Sequence, residues 1–214
     1  MEVRRTPDSS GEKPTHHRSL LIDSYSDFID FANKHFTLSK YIIKDDRDIF
    51  YRIEKMMLWI IAFSIVVLLT LHLMPRWLSI TIAILLVQRV IEFVVVYSRN
   101  FIFNRGRIFT HFRDPQRQGQ WLIMMFTLNI VQVVIIFSIW YRLIGLINPE
   151  AFIGDLSILN SVYFSVITFL TVGYGDIIPL STLAKTLVLF QSALTFYTLV
   201  IVVNGLISIH FRRK

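Results

Sequence analysis

The sequence predicts an all-α membrane protein with four transmembrane helices. Composition is the first reason: 54% of the residues are hydrophobic and only 17% are charged. A soluble core would spread its apolar residues periodically, whereas these are gathered into long runs. The second reason is the runs themselves, four in number, each long enough to cross about 30 Å of hydrocarbon as a helix. The third is the placement of Lys and Arg, which crowd the connections on one side of those runs. The chain has no cysteine, which excludes a disulfide framework and a thiolate metal site.

Residues 1–55 read as a cytosolic N-terminal segment. The first twenty residues are polar and lack an apolar stretch, so no secretory signal is expected. Up to about Ser19 the segment is rich in charge, Ser and Pro and is predicted to be disordered. Further on, Phe28, Phe31, Ala32 and His35 fall at helical spacing and predict a short amphipathic helix. That helix suits either an element that acts on the membrane part or one that simply lies on the bilayer.

The first run is Met56–Met74 and the second Trp77–Tyr97, which holds Gln88, Arg89 and Glu92. Met74-Pro75-Arg76-Trp77 makes the turn between them, so residues 56–97 form a helical hairpin. Arg89 and Glu92 share a helical face at i,i+3. Buried charge in a span is costly and is usually paired. An Arg89–Glu92 pair that fixes packing is the simpler reading. A one-charge field sensor is the other, and moving one charge yields only about 2.3 kcal/mol per 100 mV.

The basic cytosolic linker 98–120 interleaves Arg99, Arg105, Arg107, Arg113 and Arg117 with Phe101, Phe103, Phe109 and Phe112. This pattern beside a span suits contact with anionic lipid headgroups, or a plain solvated linker. The membrane flanks argue against nucleic acid. The third run is Trp121–Ile147, with Asn129, Gln132 and Arg142, and the fourth is Leu183–Ile209, with Lys185, Gln191 and Asn204.

Counting Lys and Arg gives ten in residues 1–55, five in 98–120 and three in 210–214, against one each in the first turn and in 142–157. The positive-inside rule therefore places both termini and the linker in the cytosol. The third run then leads outward and the fourth inward. The net charge of +7 is cytosolic flank.

Between the last two runs lies Thr171-Val172-Gly173-Tyr174-Gly175-Asp176, preceded by the apolar, helix-length stretch 157–170 and followed by Ile177-Ile178-Pro179. Gly-Tyr-Gly-Asp alone would pass for a turn. The order of outer helix, short helix, this motif and inner helix resembles the pore module of tetrameric potassium channels, over residues 121–211. The resemblance implies a re-entrant pore helix (157–170), an extended selectivity filter (171–176) and an inner helix (183–209) in a tetrameric pore. Backbone carbonyls of Thr171, Val172, Gly173 and Tyr174 would coordinate K+, with the Thr171 hydroxyl beneath them. Glycine tolerates the positive φ that such a backbone needs, at Gly173 and Gly175. Asp176 would sit at an outer mouth made acidic also by Glu150 and Asp155. Asp155 and Ser157 are candidate caps of the pore helix.

The same resemblance gives Tyr163 and Phe164 the role of buttressing Tyr174. Ile167 stands where some bacterial members have a glutamate, so that partner of the filter aspartate is missing. Thr195 replaces a glycine hinge common in the inner helix, leaving Asn204 and Gly205 as the candidate bending point. The implied protein is a potassium-selective channel of the plasma membrane, multi-pass, acting as a homotetramer, with K+ as its permeant ion and no other cofactor. A weakly selective cation channel and a non-conducting regulatory subunit are the alternatives. No enzyme is expected. The six histidines (16, 17, 35, 72, 111 and 210) make no metal-ligand motif, and no nucleophile–base grouping stands out. With the sequence ending at Lys214, no C-terminal ligand-binding domain is expected.

Overall fold

The computed structural model describes residues 20–36, 49–99 and 115–211. Six helices follow one another among these: α1 (Leu20–Phe36), α2 (Ile49–Thr70), α3 (Arg76–Tyr97), α4 (Pro115–Ile147), α5 (Ile158–Phe169) and α6 (Thr182–Phe211). A 3₁₀ turn at Pro149–Ala151 and two two-residue strands, β1 (Phe152–Ile153) and β2 (Ile178–Pro179), complete the segment between α4 and α6. Four of the helices, α2, α3, α4 and α6, are long and apolar enough to cross a membrane. The architecture is that of an all-α membrane protein.

α2 begins seven residues before the apolar run and stops at Thr70, four residues short of its end. The early stop follows from Pro75. A residue before proline is pushed out of the helical region, so the chain must leave the helix first. Leu73 N bonds to Thr70 O at 2.9 Å in the turn, and Pro75, with ψ 142°, caps α3. α4 starts six residues before Trp121, giving 33 residues and about 50 Å of helix.

α4 is the axis of the fold. Its Phe137, Ile139 and Tyr141 are fully buried, and α2, α3, α5 and α6 all pack on it. The faces of α2 and α3 turned away from it stay apolar, with Trp59, Phe63, Ile84 and Leu85 exposed, as lipid contact requires. Polar side chains along α4 bond to the hairpin, since a polar group in an apolar interior costs free energy unless paired. Trp121 Nε1 donates to Glu54 at 2.8 Å, Asn129 Nδ2 to Tyr97 Oη at 3.1 Å, and Trp140 Nε1 to the Ala83 carbonyl at 3.0 Å. Within the hairpin, Arg89 pairs with Glu92 on α3 and donates to Met57 Sδ on α2 at 3.3 Å. The pair is thus a buried junction between the two helices.

α1 docks on the end of α3. Ile29 and Ala32 bury against Val95, flanked by Tyr25 and Ile91, and Asp30 lies 3.9 Å from Arg99. Three hydroxyls meet here. Tyr25 Oη is 2.8 Å from Ser98 Oγ, which is 2.7 Å from Tyr197 Oη on α6. Tyr197 donates to the Val94 carbonyl at 2.8 Å, so Ser98 donates to Tyr197 and accepts from Tyr25. Residues 1–19 and the body of the basic linker, 100–114, lie outside the described residues. The lipid-contact reading of that linker lies there with them.

Candidate functional site

α5 presents the candidate site at its C-terminal end. Its start is closed by local chemistry: Ser157 Oγ accepts from Asn160 N at 3.3 Å, and Asp155 accepts from Ser157 N at 3.2 Å. Asp155 is thereby a negative charge beside the positive helix end. Twelve residues give about 18 Å of helix, too short to cross a bilayer. At the other end Leu170 N bonds to Val166 O at 2.8 Å, and Thr171 N to Thr168 O at 3.1 Å. Val172 N reaches back to Ile167 O at 2.8 Å. The 171–176 motif is therefore hydrogen-bonded directly to the last turn of α5.

Along the motif positive φ recurs at every second residue: Thr171 at 57°, Gly173 at 59° and Gly175 at 79°. No Cβ placed on Gly173 or Gly175 would meet an atom of the chain within 4 Å, so dihedral freedom alone calls for glycine there. Thr171 is different. A β-branched residue in the left-handed region is strained by about 1–2 kcal/mol, and such strain marks a position held by its surroundings. Its hydroxyl donates to the Leu170 carbonyl at 2.7 Å. All six motif residues are exposed in the single chain, Tyr174 to 72%.

Further contacts hold the far end of the motif. β1 and β2 pair antiparallel, Phe152 opposite Pro179 and Ile153 opposite Ile178, and Leu180 N bonds to Ala151 O at 2.8 Å. Gly154, at φ 99°, lies so close that a Cβ would stand 2.9 Å from the Asp176 carbonyl oxygen. From α4, Arg142 donates to the Leu156 carbonyl just before α5. Nothing in the spacing of residues 142–157 announces these contacts. The sequence pattern marks Arg142 only as a charge near the end of the third run and gives no role to Gly154.

Tyr163 stacks parallel to Tyr174, with centroids 6.5 Å apart and planes 2° apart. The Asp176 carboxylate, as a hydrogen-bond acceptor for the neutral phenol and by its charge, pushes the Tyr163 phenol up to about 12, with desolvation adding to the effect. Within the single chain Phe164 does not face Tyr174. It is buried behind the site, edge-on to Tyr141 at 4.8 Å and to Phe152 at 5.8 Å, and among the described residues these are its ring contacts. One helical step turns it some 100° from Tyr163, toward α4 rather than toward the motif. Ile167 is buried, in keeping with an apolar side chain there.

α6 runs unbroken through Thr195, Asn204 and Gly205. Thr195 spends its hydroxyl on the Gln191 carbonyl one turn back, at 3.0 Å. The side-chain surroundings of Asn204 and Gly205 lie outside the described residues. No group of three His, Asp or Glu side chains among the described residues is placed to hold a metal ion.

No curated protein and no solved structure matches the chain. Residues 123–212, from within α4 to just past α6, match the family model described as ion channel. That match takes in α5 and the whole motif, supports an ion channel pore family for this part of the chain, and points to a channel rather than an enzyme.

Proposed function

We propose that the protein is a potassium-selective channel, built from four copies of the chain around a filter of Thr171, Val172, Gly173, Tyr174 and Gly175. The observation that carries this reading is the positive φ at Thr171, Gly173 and Gly175. In a regular strand successive carbonyls face opposite ways. Reversing the sign of φ at every second residue turns the intervening peptide planes, which favours carbonyls along one side. Four such segments would replace the water shell of a K+ ion, with the Thr171 hydroxyls at the inner end. One chain cannot surround an ion, and the exposure of all of residues 171–176 suits a segment that neighbours complete.

The supports fit that role. The C-terminal end of α5 carries partial negative charge toward the inner end of the filter. Asp176, Asp155 and Glu150 make the other mouth acidic. With the termini in the cytosol of a plasma-membrane protein, that mouth is extracellular. K+ is the permeant ion, and the 98–120 linker meets anionic lipid.

Purified protein in liposomes, with K+ on one side and Na+ on the other, tests this. A reversal potential near the K+ equilibrium value is expected, with the selective current abolished by Gly173→Ala. A substantial current reversing near zero would favour a weakly selective cation channel. No current from the chain alone, restored by a second kind of subunit, would favour the regulatory-subunit reading.

A further inference from the structure

Behind α5, on the side away from the motif, a buried polar network joins three helices. Gln191 of α6 is fully buried, as are Ser165 of α5 and Tyr141 of α4. Gln191 Nε2 donates to the Ser165 carbonyl at 2.9 Å and to Ser165 Oγ at 3.1 Å. Tyr141 Oη donates to Gln191 Oε1 at 2.6 Å, and Ser165 Oγ donates to the Val134 carbonyl of α4 at 2.8 Å. The Ser165 carbonyl can only accept, so the amide nitrogen must face it and the amide oxygen must face Tyr141. The ring of bonds closes from α4 through α6 and α5 back to α4, two turns from where it began.

We infer that Gln191 is a positioning residue for the filter: it fixes the depth and rotation of α5, and through them the height of Thr171–Tyr174. This rests on the filter reading of 171–176 given above. Ser165 lies six residues before Thr171, and the turn between them is tied to the motif by the bonds of Thr171 N and Val172 N. A slide of α5 along α4 would therefore carry the motif with it. Apolar packing alone resists such a slide weakly, because it is non-directional. Hydrogen bonds in an apolar interior set a register, since each misplaced group stays unpaired at a cost of about 1–3 kcal/mol. A glutamine in the middle of a span is otherwise an expensive choice. Its partners are one backbone carbonyl of α5 and side chains of α4 and α5, so it joins the inner helix to both at once.

The test separates positioning from stability. Gln191→Met keeps the volume but leaves Tyr141 Oη unpaired, so it lowers stability whatever the network does. Gln191→Met with Tyr141→Phe removes both groups and regains most of that stability. K+/Na+ permeability ratios are measured in liposomes for wild type, the double variant and Tyr141→Phe alone. The expected result is an assembled double variant whose ratio falls about tenfold, with Tyr141→Phe in between. A wild-type ratio in the assembled double variant overturns the inference. Should the double variant not assemble, a wild-type ratio in Tyr141→Phe overturns it equally. A wild type without selectivity would instead reject the filter reading itself.

Discussion

Gly154 is the residue whose contribution is most sharply defined by geometry. It combines φ 99° with a Cβ position 2.9 Å from a backbone oxygen, and backbone cannot swing aside as a long side chain can. Gly154→Ala should cost about 1–2 kcal/mol from the dihedral alone, and more from the clash with Asp176. A melting temperature lowered by roughly 3–8 °C is expected, and an unchanged one would mean that the outer segment is free to shift. Tyr163 gives a pH signature. Its phenol is held up to about 12, above the ordinary value near 10. The Asp176 carboxylate favours the neutral phenol, so this contribution is complete below about pH 10 and is lost as pH rises to about 12. Thermal melts of wild type and Tyr163→Phe between pH 8 and 12 should differ up to about pH 10 and then converge. The motif was legible because its letters are its chemistry: glycine at alternate positions already specifies positive φ. The positive φ of Thr171 and of Gly154 was not legible, because these constraints come from α5 and from Asp176, which sequence spacing does not bring together.

At the scale of elements, apolar run length found the four long helices, and Pro75 explains where α2 parts from its run. What runs could not reveal is which polar side chains bridge them. Asn129 was visible as a polar interruption, yet its partner Tyr97 lies 32 residues away. The hydroxyl chain Tyr25–Ser98–Tyr197 spans still more, its successive partners 73 and 99 positions apart in the sequence. It ties α1, α3 and α6 at one point, so its members should be energetically coupled. Tyr197→Phe removes the bond to Val94 and strands the Ser98 hydroxyl, which predicts a loss of about 1–3 kcal/mol. Tyr25→Phe removes the hydroxyl that donates to Ser98 while leaving the Ser98–Tyr197 bond in place. The double variant should then depart from additivity by about 0.5 kcal/mol or more. Thermal or denaturant unfolding of the four proteins measures this, and strict additivity would show three independent hydroxyls.

At the scale of the molecule, the single chain leaves two kinds of surface uncovered. The outward faces of α2 and α3 are evenly apolar and call for lipid. The other comprises one face of α6, with Leu189, Phe196 and Leu199 more than half exposed, and the motif, whose exposed Gly173, Gly175 and Asp176 are not apolar. Carbonyl groups exposed on an extended segment at membrane depth are unsatisfied unless protein or ions cover them. In the proposed channel, copies of the chain would cover the sides and the permeant ion the carbonyls. This predicts a homotetramer whose stability depends on the cation. An ion that binds only the assembled filter stabilises it by RT ln(1 + [ion]/Kd), about 2.7 kcal/mol at a hundred times Kd. The tetramer, followed by native mass measurement in mild detergent, should survive to a higher temperature in K+ than in Na+ at equal ionic strength. Equal survival in the two salts would mean that four copies can meet without forming a K+ site, and Gly173→Ala should bring wild-type behaviour to that same point.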